Sequence, residues 1–189
     1  MANTCSTEYR VLGPKKQLDK LWNVLNELLD TNKCDLSDLV KAIGTDSPIH
    51  CRGYITSIDR DLDGDEITIW QDTAWCEQRD VRHLLEEKFP GIKVYFYDEE
   101  FGCDWCATND TEGTVFSFNW VVDAFGEMEY FETLDQLAKY VNERCAAKYP
   151  ELSPAEADES SIQDLFDKIC EIDEDEIYFF CHVARNAGF

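Results

Sequence analysis

Leu18, Leu21, Trp22, Leu25, Leu28 and Leu29 recur at spacings of three and four, so a helix over this stretch carries one continuous apolar stripe. Such a stripe has to be covered, and the flanking segments indicate by what. Residues 7–12 alternate Tyr9 and Val11 with charged neighbours, the period of a half-buried strand. Gly13-Pro14 ends that strand, and Pro14 suits the first turn of the helix that follows. Asp35 is placed to cap a short second helix carrying Leu36, Leu39, Val40 and Ile43, with Gly44 as its stop. Residues 54–58 and 67–70 read as strands, and Asp63-Gly64 between them is a hairpin-turn signal. A helix with Val81, Leu84, Leu85, Lys88 and Phe89 runs up to Pro90-Gly91, and residues 92–97 follow as a β-branched and aromatic strand.

The order is therefore β-α-β-β-α-β with one extra short helix, the ferredoxin-like split βαβ arrangement. The expected fold is an α+β sandwich with helices on one face of an antiparallel sheet. Further on, residues 114–125 and 127–131 are expected to form a hairpin around Gly126. Thr133 with Gln136 makes a capping box for a helix bearing Leu137, Ala138, Val141 and Cys145. Ser161 with Asp164 is expected to cap a last helix, and a final strand covers 177–183. The expected division is a domain over 1–132 and a C-terminal α/β extension over 133–189.

Charge separates the two halves. Residues 1–98 carry 18 acids and 12 bases, whereas residues 99–189 carry 22 acids and 5 bases. No Lys or Arg occurs between Lys93 and Lys139, and ten acids fall from Glu99 to Asp135. A net charge of −23 repels nucleic acid and anionic membranes, and it either favours a basic partner or serves solubility alone. With 44% hydrophobic and 13% aromatic residues, the chain has the apolar material for a core despite that charge. Residues 1–9 are polar and lack a secretory-leader pattern, so a cytoplasmic location is expected. The nine cysteines are odd in number and irregularly spaced, which reads as reduced thiols used as small hydrophobes.

Met1-Ala2-Asn3 with Cys5, and the strand running into Gly13-Pro14, open the chain in a way that resembles the YubB-type ferredoxin-like domain proteins of plasmids, phages and conjugative elements. Thr73-Ala74-Trp75-Cys76, a helix ending Lys88-Phe89-Pro90, and Glu99-Glu100-Phe101-Gly102 before the next strand are similar to the same family's pattern. Thr4 departs from it, since the family often has Trp there. The resemblance spans about residues 1–125 and implies the fold and a mobile-element origin; it carries no catalytic set.

Two motifs raise metal chemistry. Asp59, Asp61, Asp63 and Asp65, with Gly64, resemble the first half of a calcium loop. The closing Glu is missing, because Trp70 stands at its position, so an acidic hairpin turn is the competing reading. Cys103 and Cys106 form a lone CxxC with only Cys181-His182 to complete a zinc set. Acids around the pair also oppose the thiolate that redox work requires. No nucleophile elbow and no phosphate-cradling glycine loop is present, and no cofactor or catalytic residue is expected. Trp70, Trp75, Trp105 and Trp120 cluster in the middle of the chain, as core and rim packing or, on loops, as partner anchors.

The expected function is that of an acidic, non-enzymatic binding protein. Its partner is a basic protein, a nucleic-acid-binding one among the choices, with DNA mimicry or inhibition as the form the action would take. The partner-facing residues are expected to be Glu99, Glu100, Asp104, Trp105 and Asp110, the four acids all on loops. A calcium- or zinc-binding module and an enzyme without a recognisable motif are the alternatives.

Overall fold

The computed structural model describes residues 3–45, 48–103, 105–173 and 179–185. The protein is α+β and forms two compact units. Met1–Gly102, Ala107–Val115 and Arg185–Phe189 make the first, and Cys103–Cys106 with Phe116–Ala184 the second. The hairpin expected with the first domain thus lies in the second unit.

The chain begins with β1 (Thr4–Leu12), α1 (Lys15–Asp30) and α2 (Leu36–Ile43), then β2 (Gly53–Arg60) and β3 (Glu66–Ala74). Next come α3 (Arg79–Lys88), β4 (Lys93–Glu100), a short helical turn at Phe101–Cys103 and β5 (Trp105–Thr108). The remainder is β6 (Trp120–Ala124), β7 (Glu127–Phe131), α4 (Leu134–Lys148), α5 (Glu159–Ile172), β8 (Phe179–His182) and β9 (Ala184–Arg185).

A six-stranded sheet has the order β2-β3-β1-β4-β5-β9, with β1 antiparallel to both β3 and β4, and β2 antiparallel to β3. Along β1, Cys5, Thr7, Tyr9 and Val11 are buried while Thr4 and Ser6 face outward, the period-two pattern of a sheet with one packed face. Leu18, Leu21, Leu25 and Leu28 of α1 are buried, as are Val81, Leu84 and Leu85 of α3. The helical stripes therefore point inward as their spacing requires. Gly53 is fixed by space: at φ +153°, a Cβ there would meet the Asp72 carbonyl oxygen at 2.5 Å.

β1 and β3 are longer than their apolar alternation implies. Thr4–Ser6 and Gln71–Ala74 read as loop because they are polar, yet they pair across the sheet. Residues 114–119, expected as strand, stand outside any, and the hairpin starts at Trp120.

In the second unit a three-stranded sheet runs β7-β6-β8. Phe125 (φ +57°) and Gly126 (φ +75°) form its tight turn, both in the left-handed region that two-residue hairpin loops demand. Trp120, Val122 and Ala124 pack with Leu137, Val141, Ile162, Leu165, Phe166 and Ile169 into one core. The Thr133–Gln136 capping box starts α4 with both of its hydrogen bonds. The cap of α5 is Asp158, whose side chain accepts from the Ser161 N–H, so Ser161 sits one turn inside the helix rather than at its start. Among the described residues no helix is long and apolar enough to cross a membrane.

Leu21 is fully buried, whereas Leu62 at the hairpin tip is fully exposed. Leu21→Ala is expected to lower unfolding free energy by about 2–5 kcal/mol in urea titrations, and Leu62→Ala to change it by less than about 0.5 kcal/mol. Thr133→Ala, which removes the cap of α4, should cost about 0.5–2 kcal/mol.

Candidate acidic binding site

The packed face of the large sheet changes character along its length. Val11 lies opposite Ile67 and Val94, and Tyr9 opposite Ile69 and Phe96, which makes two apolar rows. The next row places Thr7 between Gln71 and Asp98, and beyond it Cys5 faces Thr73. This polar end is closed to water: Asp98 is 1% exposed.

Burial of Thr7, Thr73 and Asp98 is tolerable because they bond to one another and to Glu77, whereas the buried Gln71 Nε2 finds no hydrogen-bond partner among the described residues. Thr7 Oγ1 donates to Asp98 Oδ1 (2.6 Å) and lies 3.0 Å from Thr73 Oγ1. The Glu77 N–H donates to Asp98 Oδ2 (2.6 Å). Glu77 in turn accepts from the Tyr9 hydroxyl (2.8 Å) and from Arg82 Nε (2.9 Å), a buried ion pair. The Arg82 guanidinium also lies 5.4 Å from the centre of the Phe96 ring. Burial pushes the Asp98 carboxyl up to about 7, and the Glu77 charge adds to this, against the hydrogen bonds from Thr7 and Glu77 that favour the ionised form. Burial, then the Asp98 charge, pushes the Cys5 thiol up, so it is no thiolate nucleophile. Both Asp98 oxygens are occupied and enclosed, which makes this cluster a structural brace.

The brace holds a strained loop. Trp75 has φ +74°, a conformation that a bulky residue rarely adopts, and is 55% exposed. Its N–H donates to the Asn3 carbonyl (3.2 Å), and the Ala74 N–H to the Arg52 carbonyl (3.1 Å). Gln78 ties the loop further, donating from Nε2 to the Cys76 carbonyl (2.9 Å) and accepting from the Arg52 N–H (3.0 Å).

On the opposite face of the same strands, Ser6 stands directly between Asp72 and Glu99. Together with Thr4, Glu100 and Gly102 these residues line an open cleft of about 500 Å³. Asp72 accepts from the Tyr54 hydroxyl (2.6 Å), and that bond with its charge pushes the Tyr54 phenol up. Asp72 and Glu99, two carboxylates on the outer face at one end of the sheet, make a surface suited to cations with N–H donors.

Of the residues singled out by sequence, Glu99 and Glu100 meet in this cleft. They lie on β4 rather than on a loop, and Glu100 is only 7% exposed. Trp105 is half-buried on β5. Asp110 is on a loop but 1% exposed, its carboxylate turned inward to accept from the Val115 N–H (2.6 Å) and the Thr114 hydroxyl (3.2 Å). Asp104 lies outside the described residues.

Asp59 pairs with Thr68 in the β2–β3 ladder, while Asp61, Asp63 and Asp65 sit in the turn. Asp61 Oδ1 accepts from the Glu66 N–H (2.8 Å), a bond that lowers its carboxyl, and the Asp63 carbonyl accepts from Lys15 Nζ (3.0 Å). Cys103 is exposed and Cys106 buried. Among the described residues no group of three or more His, Cys, Asp or Glu side chains is placed to hold a metal ion.

Sequence reasoning passed over Asp72, Asp98 and Glu77. Period two alone, continued from Val94 and Phe96, would have put Asp98 on the packed face. The chain matches no protein-family model, no curated protein and no solved structure.

A carboxyl raised in the fold binds its proton more tightly there than in the unfolded chain. Its contribution is therefore fully present below the ordinary Asp range and is lost as pH rises through about 7. Asp98→Asn keeps an acceptor for the Glu77 N–H and removes the titration. In urea titrations from pH 4.5 to 8 the variant should gain stability relative to the parent as pH rises. A constant difference would place the titration elsewhere.

Proposed function

We propose that this chain is a non-enzymatic acidic binding protein that engages a basic protein through the cleft of Asp72 and Glu99. The single observation that carries this reading is the placement of Asp72 and Glu99 on either side of Ser6 on the outer face of a braced sheet. Cross-strand neighbours on one face lie about 4.5–5.5 Å apart between Cβ atoms, so two carboxylates one strand removed from each other form a concentrated negative patch. The second unit is acidic in its own right: α5 turns Glu159, Asp164, Asp167 and Glu171 to solvent against a single base on that helix, Lys168. Such a surface draws cations and repels phosphate backbones, which supports a partner that is itself basic, a nucleic-acid-binding protein being one such, over direct nucleic-acid contact.

The first unit's strand order supports the finer fold reading as well. In β2-β3-β1-β4 the first strand lies between the third and fourth and every one of these pairings is antiparallel, as in a ferredoxin-like split βαβ domain extended by β5 and β9. With Thr73-Ala74-Trp75-Cys76 and Lys88-Phe89-Pro90, it supports kinship with the YubB-type proteins and a mobile-element origin.

The test is affinity capture from cell lysate, eluted over a salt gradient. Asp72→Lys with Glu99→Lys should lower recovery of the bound basic protein on the order of tenfold at low salt. Asp30→Lys with Asp65→Lys, exposed positions away from the cleft, should leave it unchanged. Recovery that ignores salt, or that falls equally for both pairs, refutes the reading.

A further inference from the structure

We infer that the cleft between α5 and β8 in the second unit is a receptor for a guanidinium group, the side chain of an arginine on the basic partner. The inference rests on the reading of that partner as basic but uses a different surface. The cleft holds about 420 Å³, walled by Trp120, Phe179, Phe180 and His182 and edged by Glu159 and Gln163. The His182 ring stacks on Trp120 at 4.4 Å and 15°. Phe180 lies 6.2 Å from Trp120 and 5.9 Å from the buried Phe166, so the aromatic wall is fixed by the core behind it.

The polar edge is built to accept. Glu159 and Gln163 are one helical turn apart and share a face of α5. Gln163 points its amide nitrogen at Asp167 Oδ1 (2.7 Å), which turns its carbonyl oxygen the other way. A carboxylate and a carbonyl beside the half-buried rings of Phe179 and Phe180 select a cation that carries N–H donors, while Trp120, covered by His182, backs the wall. A guanidinium fits better than an ammonium: it is flat, weakly hydrated, stacks on rings and bonds a carboxylate through two parallel N–H groups.

The test uses the full ¹⁵N-labelled chain titrated with N-acetyl-arginine amide, N-acetyl-lysine amide and N-acetyl-citrulline amide, reading the Trp120 indole and His182 amide resonances. Arginine amide should shift both saturably and bind about threefold tighter than lysine amide, with no saturable response to the uncharged citrulline amide. Glu159→Gln, an exposed change that leaves the core intact, should weaken arginine binding about two- to fivefold. Asp72→Lys with Glu99→Lys should leave it unchanged. Citrulline binding equal to arginine overturns the inference, as does indifference to Glu159→Gln, or shifts that spread over the surface without saturating, as screening of a −23 chain would produce. If the cleft fails while salt-sensitive capture persists, the basic-partner reading stands without it; if capture fails and the cleft binds arginine, the cleft is a cation site of its own.

Discussion

A single carboxylate ties three parts of the first unit together. Asp98 projects from β4, takes a hydrogen bond from Thr7 on β1 and another from the Glu77 N–H in the loop before α3. Each bond contributes on the order of 1 kcal/mol net, and loss of either would leave a buried polar atom unpaired. The same bonds fix register. A one-residue slip of β4 against β1 would put Tyr97 and Glu99 on the packed face and Asp98 on the outer one. The apolar rows would tolerate many arrangements of Val, Ile and Phe, whereas the row of Gln71, Thr7 and Asp98 accepts one. The cleft on the outer face inherits that precision, because Asp72, Ser6 and Glu99 occupy the alternate positions of the same three strands.

Strain at Trp75 belongs to the same scheme. A bulky residue at positive φ costs about 1–3 kcal/mol and persists only where surrounding bonds over-determine it. Here the Trp75, Ala74 and Glu77 N–H groups are all spent on fixed acceptors, two on neighbouring backbone and one on Asp98. The Asn3 carbonyl that accepts from Trp75 precedes β1, so the loop also pins the first residues of the strand that lines the cleft.

Much of this was legible in the sequence and some was not, for separate reasons. Helical stripes such as Leu18, Leu21 and Leu25 announce themselves because burial on a helix repeats over several turns. The Thr133–Gln136 box is legible because its chemistry is local. Strand ends are different: Thr4–Ser6 and Gln71–Ala74 pair in a polar row, where the apolar-polar contrast that marks a strand vanishes. The cap of α5 was misplaced because Ser161 and Asp158 are both good caps three residues apart, and the core phase of Ile162, Leu165 and Phe166 decides between them. Asp98 was hidden by abundance. Among 40 acids, only strand register separates one that braces a core from one that faces water.

The net charge of a segment is accordingly a poor guide to its surface. Residues 99–110 look uniformly exposed and acidic, yet Glu100 is largely enclosed and Asp110 is folded inward to organise its own loop. The Asp110 carbonyl, further, accepts from Arg185 Nη1 (2.5 Å). In α5 the outcome is the reverse, and it follows from geometry alone. Ile162, Leu165, Phe166 and Ile169 face the core, so at 100° per residue Asp164, Asp167 and Glu171 point outward, while Glu159 lies at the edge of the apolar stripe in the first turn. The apolar stripe and the acidic stripe are two sides of one period. A chain that places its acids this way holds their mutual repulsion on the surface, where water and salt screen it within about 8–10 Å, while Asp98, Glu77 and Arg82 are buried with partners on hand.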